Sequence, residues 1–105
     1  NLLTEEGMVE LRLGGTPLNL MFDLDQMRDL QSLDISRTGI RDLSNLIRYP
    51  KLRSLNISGI DGLSISPRLI WNRNLKILTV SKEFEDDPTI RDLARRGVII
   101  IYSDD

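Results

Sequence analysis

Apolar and polar positions recur along this chain with one long period. Met8-x-x-Leu11-x-Leu13, Leu30-x-x-Leu33-x-Ile35, Leu52-x-x-Leu55-x-Ile57 and Leu75-x-x-Leu78-x-Val80 carry an apolar residue in every defining position. Corresponding positions lie 22, 22 and 23 residues apart. Leu, Ile, Val and Met fill 36 of the 105 positions, so twelve matches in twelve cells is a matter of a few chances in a million. A second column agrees: Ser36, Ser58, Ser81 and Ser103 each follow the last apolar position, spaced 22, 23 and 22. Extended once more, it sets a fifth row at Val98-x-Ile100-x-Tyr102.

Within each row the final apolar-x-apolar step alternates with period two, which predicts a short strand with one buried face. So short a strand cannot bury that face alone. Neighbouring units must stack and share a core, giving a parallel sheet with the return segments as its opposite wall. The units span 8–29, 30–51, 52–74 and 75–96, with a terminal strand at 97–103, all in one domain over 1–105. Several returns carry helix punctuation. Ser66-Pro67 supplies an N-cap and a first-turn Pro before Arg68-Leu69-Ile70-Trp71. Asp87-Pro88 repeats the device before a helix over 88–96, and Gly97 stops it. Ile90 and Leu93 are expected to face inward there, with Arg91, Asp92 and Arg95 in solvent. Asp42 is placed to cap an expected short turn through Leu43, Leu46 and Ile47, ended by Pro50. The return from Leu18 to Met27 shows no cap and reads as irregular.

Leu30-x-x-Leu33-x-Ile35-x-x-Thr38-x-Ile40 resembles the leucine-rich repeat in its short class of about 22 residues per turn. Met8-x-x-Leu11-x-Leu13-x-x-Thr16-x-Leu18 is similar in every cell. The resemblance implies that Thr16 and Thr38 stand where the family usually has Asn, whose side chain hydrogen-bonds loop backbone of adjacent turns; a Thr hydroxyl can do part of this. Ile60 and Glu83 break the pattern in the next two units, so their loops are expected to be less regular. The extra residue of the third unit falls between Ile57 and Leu75. The fold implied is α/β, a leucine-rich-repeat solenoid. Its curved parallel sheet would have about five short strands, concave outward, joined by irregular or short-helical returns. A non-repeating, doubly wound α/β domain is the alternative, but it needs no constant column spacing and uses longer crossovers.

Composition removes whole classes of chemistry. There is no Cys, hence no disulfide framework and no thiolate site, and no His, hence no imidazole base or HExxH zinc site. One Ala against 18 Leu argues against a helical bundle. A net charge of −2 points to neither nucleic acid nor anionic lipid. The longest apolar run, Val98 to Tyr102, is far too short to span a bilayer. The chain opens Asn1-Leu2-Leu3 without an initiator Met or a signal segment and closes at Ser103-Asp104-Asp105. Both ends are expected to be cuts through a longer polypeptide, with further repeats or domains on one or both sides, although processed or engineered termini read alike. The Cys-free composition favours an intracellular location, cytoplasmic or nuclear.

Strand alternation supplies the candidate sites. With Leu33, Ile35 and their equivalents inward, the central outward ladder is Arg12, Asp34, Asn56, Thr79 and Ile101. The ladder beside it is Glu10, Ser32, Ser54, Ile77 and Ile99. One end is polar, the other aliphatic. Ile77, Ile99 and Ile101, rimmed by Asn56 and Thr79, either receive a partner or pack against further repeats or a cap. Arg37, Arg41, Arg48 and Arg53 suit a phosphate or acidic peptide, yet a solvated edge explains them more simply. Glu83, Glu85, Asp86 and Asp87 lack the spacing of a calcium loop, and Asp87 is claimed as a cap. Asn56-Ile57-Ser58 is formally a glycosylation sequon, here inside a predicted strand. Gly14-Gly15 is a turn with no phosphate-loop Lys after it. Trp71 plugs a return wall or, if exposed, anchors a ligand.

These readings point to a non-catalytic protein-interaction module binding a protein or peptide through the concave face at Arg12, Asp34, Asn56, Ile77, Thr79, Ile99 and Ile101. Neither cofactor nor metal is expected. The resemblance implies the same class of role, since the family consists mostly of scaffolds and recognition domains, among them ubiquitin-ligase substrate receptors and immune sensors. A structural spacer within a larger multidomain protein is the alternative. An enzyme using Asp or Glu with Arg or Ser is disfavoured because no outward position pairs two acids on neighbouring strands.

Overall fold

Five short strands line up side by side in the order in which the chain makes them. They are β1 (Glu10–Arg12), β2 (Ser32–Asp34), β3 (Ser54–Asn56), β4 (Ile77–Ser81) and β5 (Ile99–Ser103). The computed structural model describes residues 10–12 by their backbone, and 14, 15, 30–41, 51–65, 69 and 72–103. All four neighbouring pairs are parallel, and the register runs Leu11, Leu33, Leu55, Leu78, Ile100 across the sheet. The fold is therefore α/β with an all-parallel sheet. Its register reproduces the sequence columns, including the one-residue excess between Asn56 and Ile77.

In β2, β3 and β4 the inward positions bury completely. Leu33, Ile35, Leu55, Ile57, Leu78 and Val80 have at most 1% exposure, as do the column residues Leu30 and Leu52. Leu75, Ile60, Leu69, Ile90 and Leu93 join them in one contiguous core. The apolar-x-x-apolar-x-apolar spacing thus delivers three side chains per turn into the same interior, each worth about 1.5–3 kcal/mol of apolar burial.

At the C-terminal ends of the strands, the serine column has a structural role that the sequence pattern alone does not explain. Ser36 donates from N–H and Oγ to Asp34 Oδ1 at 2.9 and 2.7 Å. Ser58 does the same to Asn56 Oδ1 at 3.1 and 2.8 Å. Each carboxamide or carboxylate thereby takes up a backbone N–H, which ends β2 and β3 after three residues. Thr79 stands at this place in β4, and there the ladder runs on to Ser81.

The next residue links each turn to the one after it. The N–H groups of Gly15 and Arg37 donate to the carbonyls of Ser36 and Ser58 at 2.8 and 2.9 Å. Gly59 N–H donates instead to Ser81 Oγ at 2.8 Å. The three donors share a left-handed backbone, with φ of 77°, 54° and 69°. Only Arg37 carries a Cβ there. Arg37→Gly is expected to raise stability by about 0.5–1 kcal/mol, the relief of left-handed strain outweighing the greater entropy of an unfolded Gly. Arg37→Val should lower it, because a branched side chain tolerates positive φ poorly. Urea denaturation of both variants checks the pair. Thr38, by contrast, bonds within its own turn: Oγ1 donates to Ile35 O at 2.8 Å and accepts from Ile40 N–H at 3.3 Å. At this step of the loop the hydrogen bonds between turns come from Gly15, Arg37 and Gly59, and not from Thr38.

After β4 comes a single 3-10 turn, Lys82–Phe84, and then helix α1, Pro88–Arg95. Asp87 caps α1, with Oδ1 accepting from Thr89 and Ile90 N–H at 2.8 and 3.3 Å. At the other end Gly97 takes φ 98°, Gly97 N–H donates to Ala94 O, and Val98 N–H donates to Leu93 O. This double bond pattern closes the helix as a Schellman motif, with Val98 and Leu93 both buried beneath it. As predicted, Ile90 and Leu93 face the core while Arg91, Asp92 and Arg95 face solvent. Asp87→Ala should cost about 0.5–2 kcal/mol through two lost cap bonds; Asp87→Asn, which keeps an acceptor, should recover most of it in the same denaturation series.

Several sequence expectations lie outside the described residues. These are the Ser66-Pro67 cap, Trp71, the turn from Asp42 to Pro50, the Leu18–Met27 return, Met8, Leu13, Thr16, and the side chains of Leu11 and Arg12.

Candidate functional site

Because the strands pair in register, residues far apart in sequence become rows on the outer face of the sheet. One row runs Asp34, Asn56, Thr79, Ile101, and the row beside it Ser32, Ser54, Ile77, Ile99, while the β1 backbone sets Arg12 and Glu10 at the same register positions. Both coincide with the ladders expected from alternation. The structure therefore brings Asp34, Asn56, Ile77, Thr79, Ile99 and Ile101 together on one face, with the backbone of Arg12 in register beside Asp34.

Their side chains are not equally available. Asp34 and Asn56 are half-buried, and their Oδ1 atoms already serve the serine turns. The Asp34 carboxylate also lies so close to Gly14 that a Cβ on that glycine would come within 3.1 Å of Oδ1. These two residues build the strand ends first. The same geometry accounts for Asn56-Ile57-Ser58: the triplet is one of two successive turns, and its counterpart Asp34-Ile35-Ser36 is no sequon.

The other end of the face is apolar and open. Ile77 is 36% exposed, Ile101 47% and Ile99 60%, three branched side chains adjoining across the β4–β5 pair. Thr79 lies half-buried among them. Tyr102 adds to this end from the opposite side of β5. It is 41% exposed, whereas the inward residues at its register, Val80 and Ile57, are fully buried. Sequence alternation assigned Tyr102 to the interior column. A strand with a neighbour on one side only cannot cover it.

Clefts lie at both ends of the strands. At the C-terminal ends of the strands one of about 480 Å³ is lined by Arg37, Asp61, Lys82 and Glu83 around Ser81 and Ser103, the last residues of β4 and β5. At the N-terminal ends a second, of about 310 Å³, is lined by Gln31, Lys51, Arg53, Asn74 and Lys76. The arginines adjacent in sequence are thus scattered. Arg37 and Arg53 lie at opposite strand ends, Arg41 lies across Gly62, and Arg48 is outside the described residues. Of the acidic run, Asp87 is the helix cap and Asp86 pairs with Arg91 at 2.7 Å. Among the described residues no Asp and Glu cluster is placed to hold a metal ion, and no helix is long and apolar enough to cross a membrane.

No protein-family model matches the chain, and no curated protein matches it significantly.

Proposed function

We propose that the chain is a leucine-rich-repeat solenoid that acts as a non-catalytic interaction module, gripping a partner protein with the concave face of its sheet. The fold part rests on the constant register of 22, 22, 23 and 22 residues among sequentially ordered parallel strands. The functional part rests on one observation, the gathering of Ile77, Ile99 and Ile101 into an exposed aliphatic surface beside a polar row. Apolar side chains exposed together are the usual core of a binding surface. Arg12, Asp34, Asn56 and Thr79 would form its polar flank, with Asp34 and Asn56 contributing shape more than free hydrogen-bonding capacity. The absence of Cys is in keeping with work inside the cell, cytoplasmic or nuclear.

The exposure of Tyr102 favours a second reading. Because Tyr102 opens on the inward side of β5, a flanking repeat or domain of the same polypeptide could stack there, leaving the chain as a spacer. A photo-cross-linking residue at position 79 distinguishes the two. The proposal expects a cross-link to a separate partner chain from position 79 and none from position 91 on α1. Linkage within the same polypeptide supports the spacer, and equal labelling from both positions overturns the concave site.

A further inference from the structure

The cleft at the N-terminal ends of the strands has an unusual charge balance for a chain of net −2. Among the described residues it is lined by Lys51, Arg53 and Lys76 with the amides of Gln31 and Asn74, and by no carboxylate. All five are exposed. The backbone at this lip is already satisfied. Gln31 O accepts from both Arg53 and Ser54 N–H, at 2.8 and 3.0 Å, and Arg53 O accepts from both Lys76 and Ile77 N–H, at 2.7 and 3.0 Å. Recognition there would therefore come from side chains, with the exposed Arg53 and Lys76 as its principal cations.

The cleft also adjoins the aliphatic surface. Lys76 immediately precedes Ile77 at the start of β4, and Ile99 N–H donates to Lys76 O at 2.8 Å, so the basic lip borders the Ile77–Ile99 pair. Neighbouring strands are separated by about 4.8 Å, which spaces Arg53 and Lys76 for carboxylates one or two residues apart on an extended peptide. A nucleic acid or a free phosphate would match the charge but leave the adjoining isoleucines uncovered.

We infer that the partner segment is an acidic-aliphatic peptide whose carboxylates enter the Lys51–Arg53–Lys76 cleft while a neighbouring Leu, Ile or Val side chain covers Ile77 and Ile99. This rests on the concave-face reading and gives it a ligand chemistry. Oppositely charged surfaces steer encounter and fix register, while the apolar contact carries affinity.

A random twelve-residue peptide library displayed on phage and selected against the whole chain tests it. Enriched sequences are expected to hold two or more Asp or Glu residues beside an aliphatic one. The strongest of them, measured by fluorescence anisotropy, should bind Arg53→Glu/Lys76→Glu about tenfold or more weakly. Lys82→Glu/Arg91→Glu makes the same change in net charge at the opposite strand end and on α1, and should bind as the unmodified chain does. All these side chains are exposed, and a melting curve for each variant confirms that it folds. Enriched peptides without acidic residues, or equal weakening by both double variants, overturn the acidic partner. Should such peptides still lose affinity on Ile99→Ser, the concave site stands without it; indifference to Ile99→Ser overturns that site, and failure to enrich any sequence overturns both.

Discussion

Leu55→Ala is expected to lower the free energy of unfolding by about 2–5 kcal/mol. Leu55 is 1% exposed in the middle strand, between Leu33 and Leu78 in the register, with an occupied turn on either side. Neither neighbour can collapse into the space without leaving its own strand position, so the lost methyl groups leave a cavity. The adjacent Asn56→Ala should cost less, about 1–2 kcal/mol. That change removes no core volume, but it deprives Ser58 N–H and Oγ of their acceptor. Denaturation midpoints at equal m-value read the difference. Equal effects from the two substitutions would mean that inward and outward positions are wrongly assigned.

The second large effect is on binding. Ile99→Ser and Ile101→Ser should each weaken partner affinity by about 10- to 150-fold, the equivalent of about 1.5–3 kcal/mol for one buried branched side chain. Ile77→Ser, starting from a less exposed side chain, belongs to the lower part of that range. Arg12→Ala, at the polar end of the same row, should change affinity by less than about fivefold, because exposed charge pairs are worth under about 1 kcal/mol. Titration calorimetry with the purified partner measures all four. A larger loss from Arg12→Ala than from Ile101→Ser would turn the proposed polarity of the face around.

Much of this was legible in the sequence because three signals repeat independently. Leu33, Leu55 and Leu78 fixed the strands, the serine column fixed the register, and Asp87, Pro88 and Gly97 marked the helix ends through local capping chemistry that needs no tertiary information. What escaped was of three kinds. The serine turns depend on side chains two residues apart bonding each other. In sequence they show only as the paired motifs Asp34-Ile35-Ser36 and Asn56-Ile57-Ser58, the second of which imitates a glycosylation site. The basic cleft joins Gln31 and Lys51, from the two ends of one unit, to Arg53 and Lys76 of the next two units, a set that no short linear window contains. The linear clue ran instead through Arg37, Arg41 and Arg53, which the fold sends to separate places. Tyr102 shows a further limit: alternation gives the side of the sheet a residue faces, whereas exposure depends on whether a neighbouring turn covers it.

The concave aliphatic end is the central claim, and the Ile99→Ser/Ile101→Ser double variant tests it most directly when melting temperature and partner affinity are measured on the same preparation. A binding surface predicts a melting temperature held within about 4 °C of the unmodified chain, a shift of 1 kcal/mol or less, together with at least a hundredfold loss of affinity. A fall in melting temperature with affinity unchanged would contradict it and make the isoleucines internal packing.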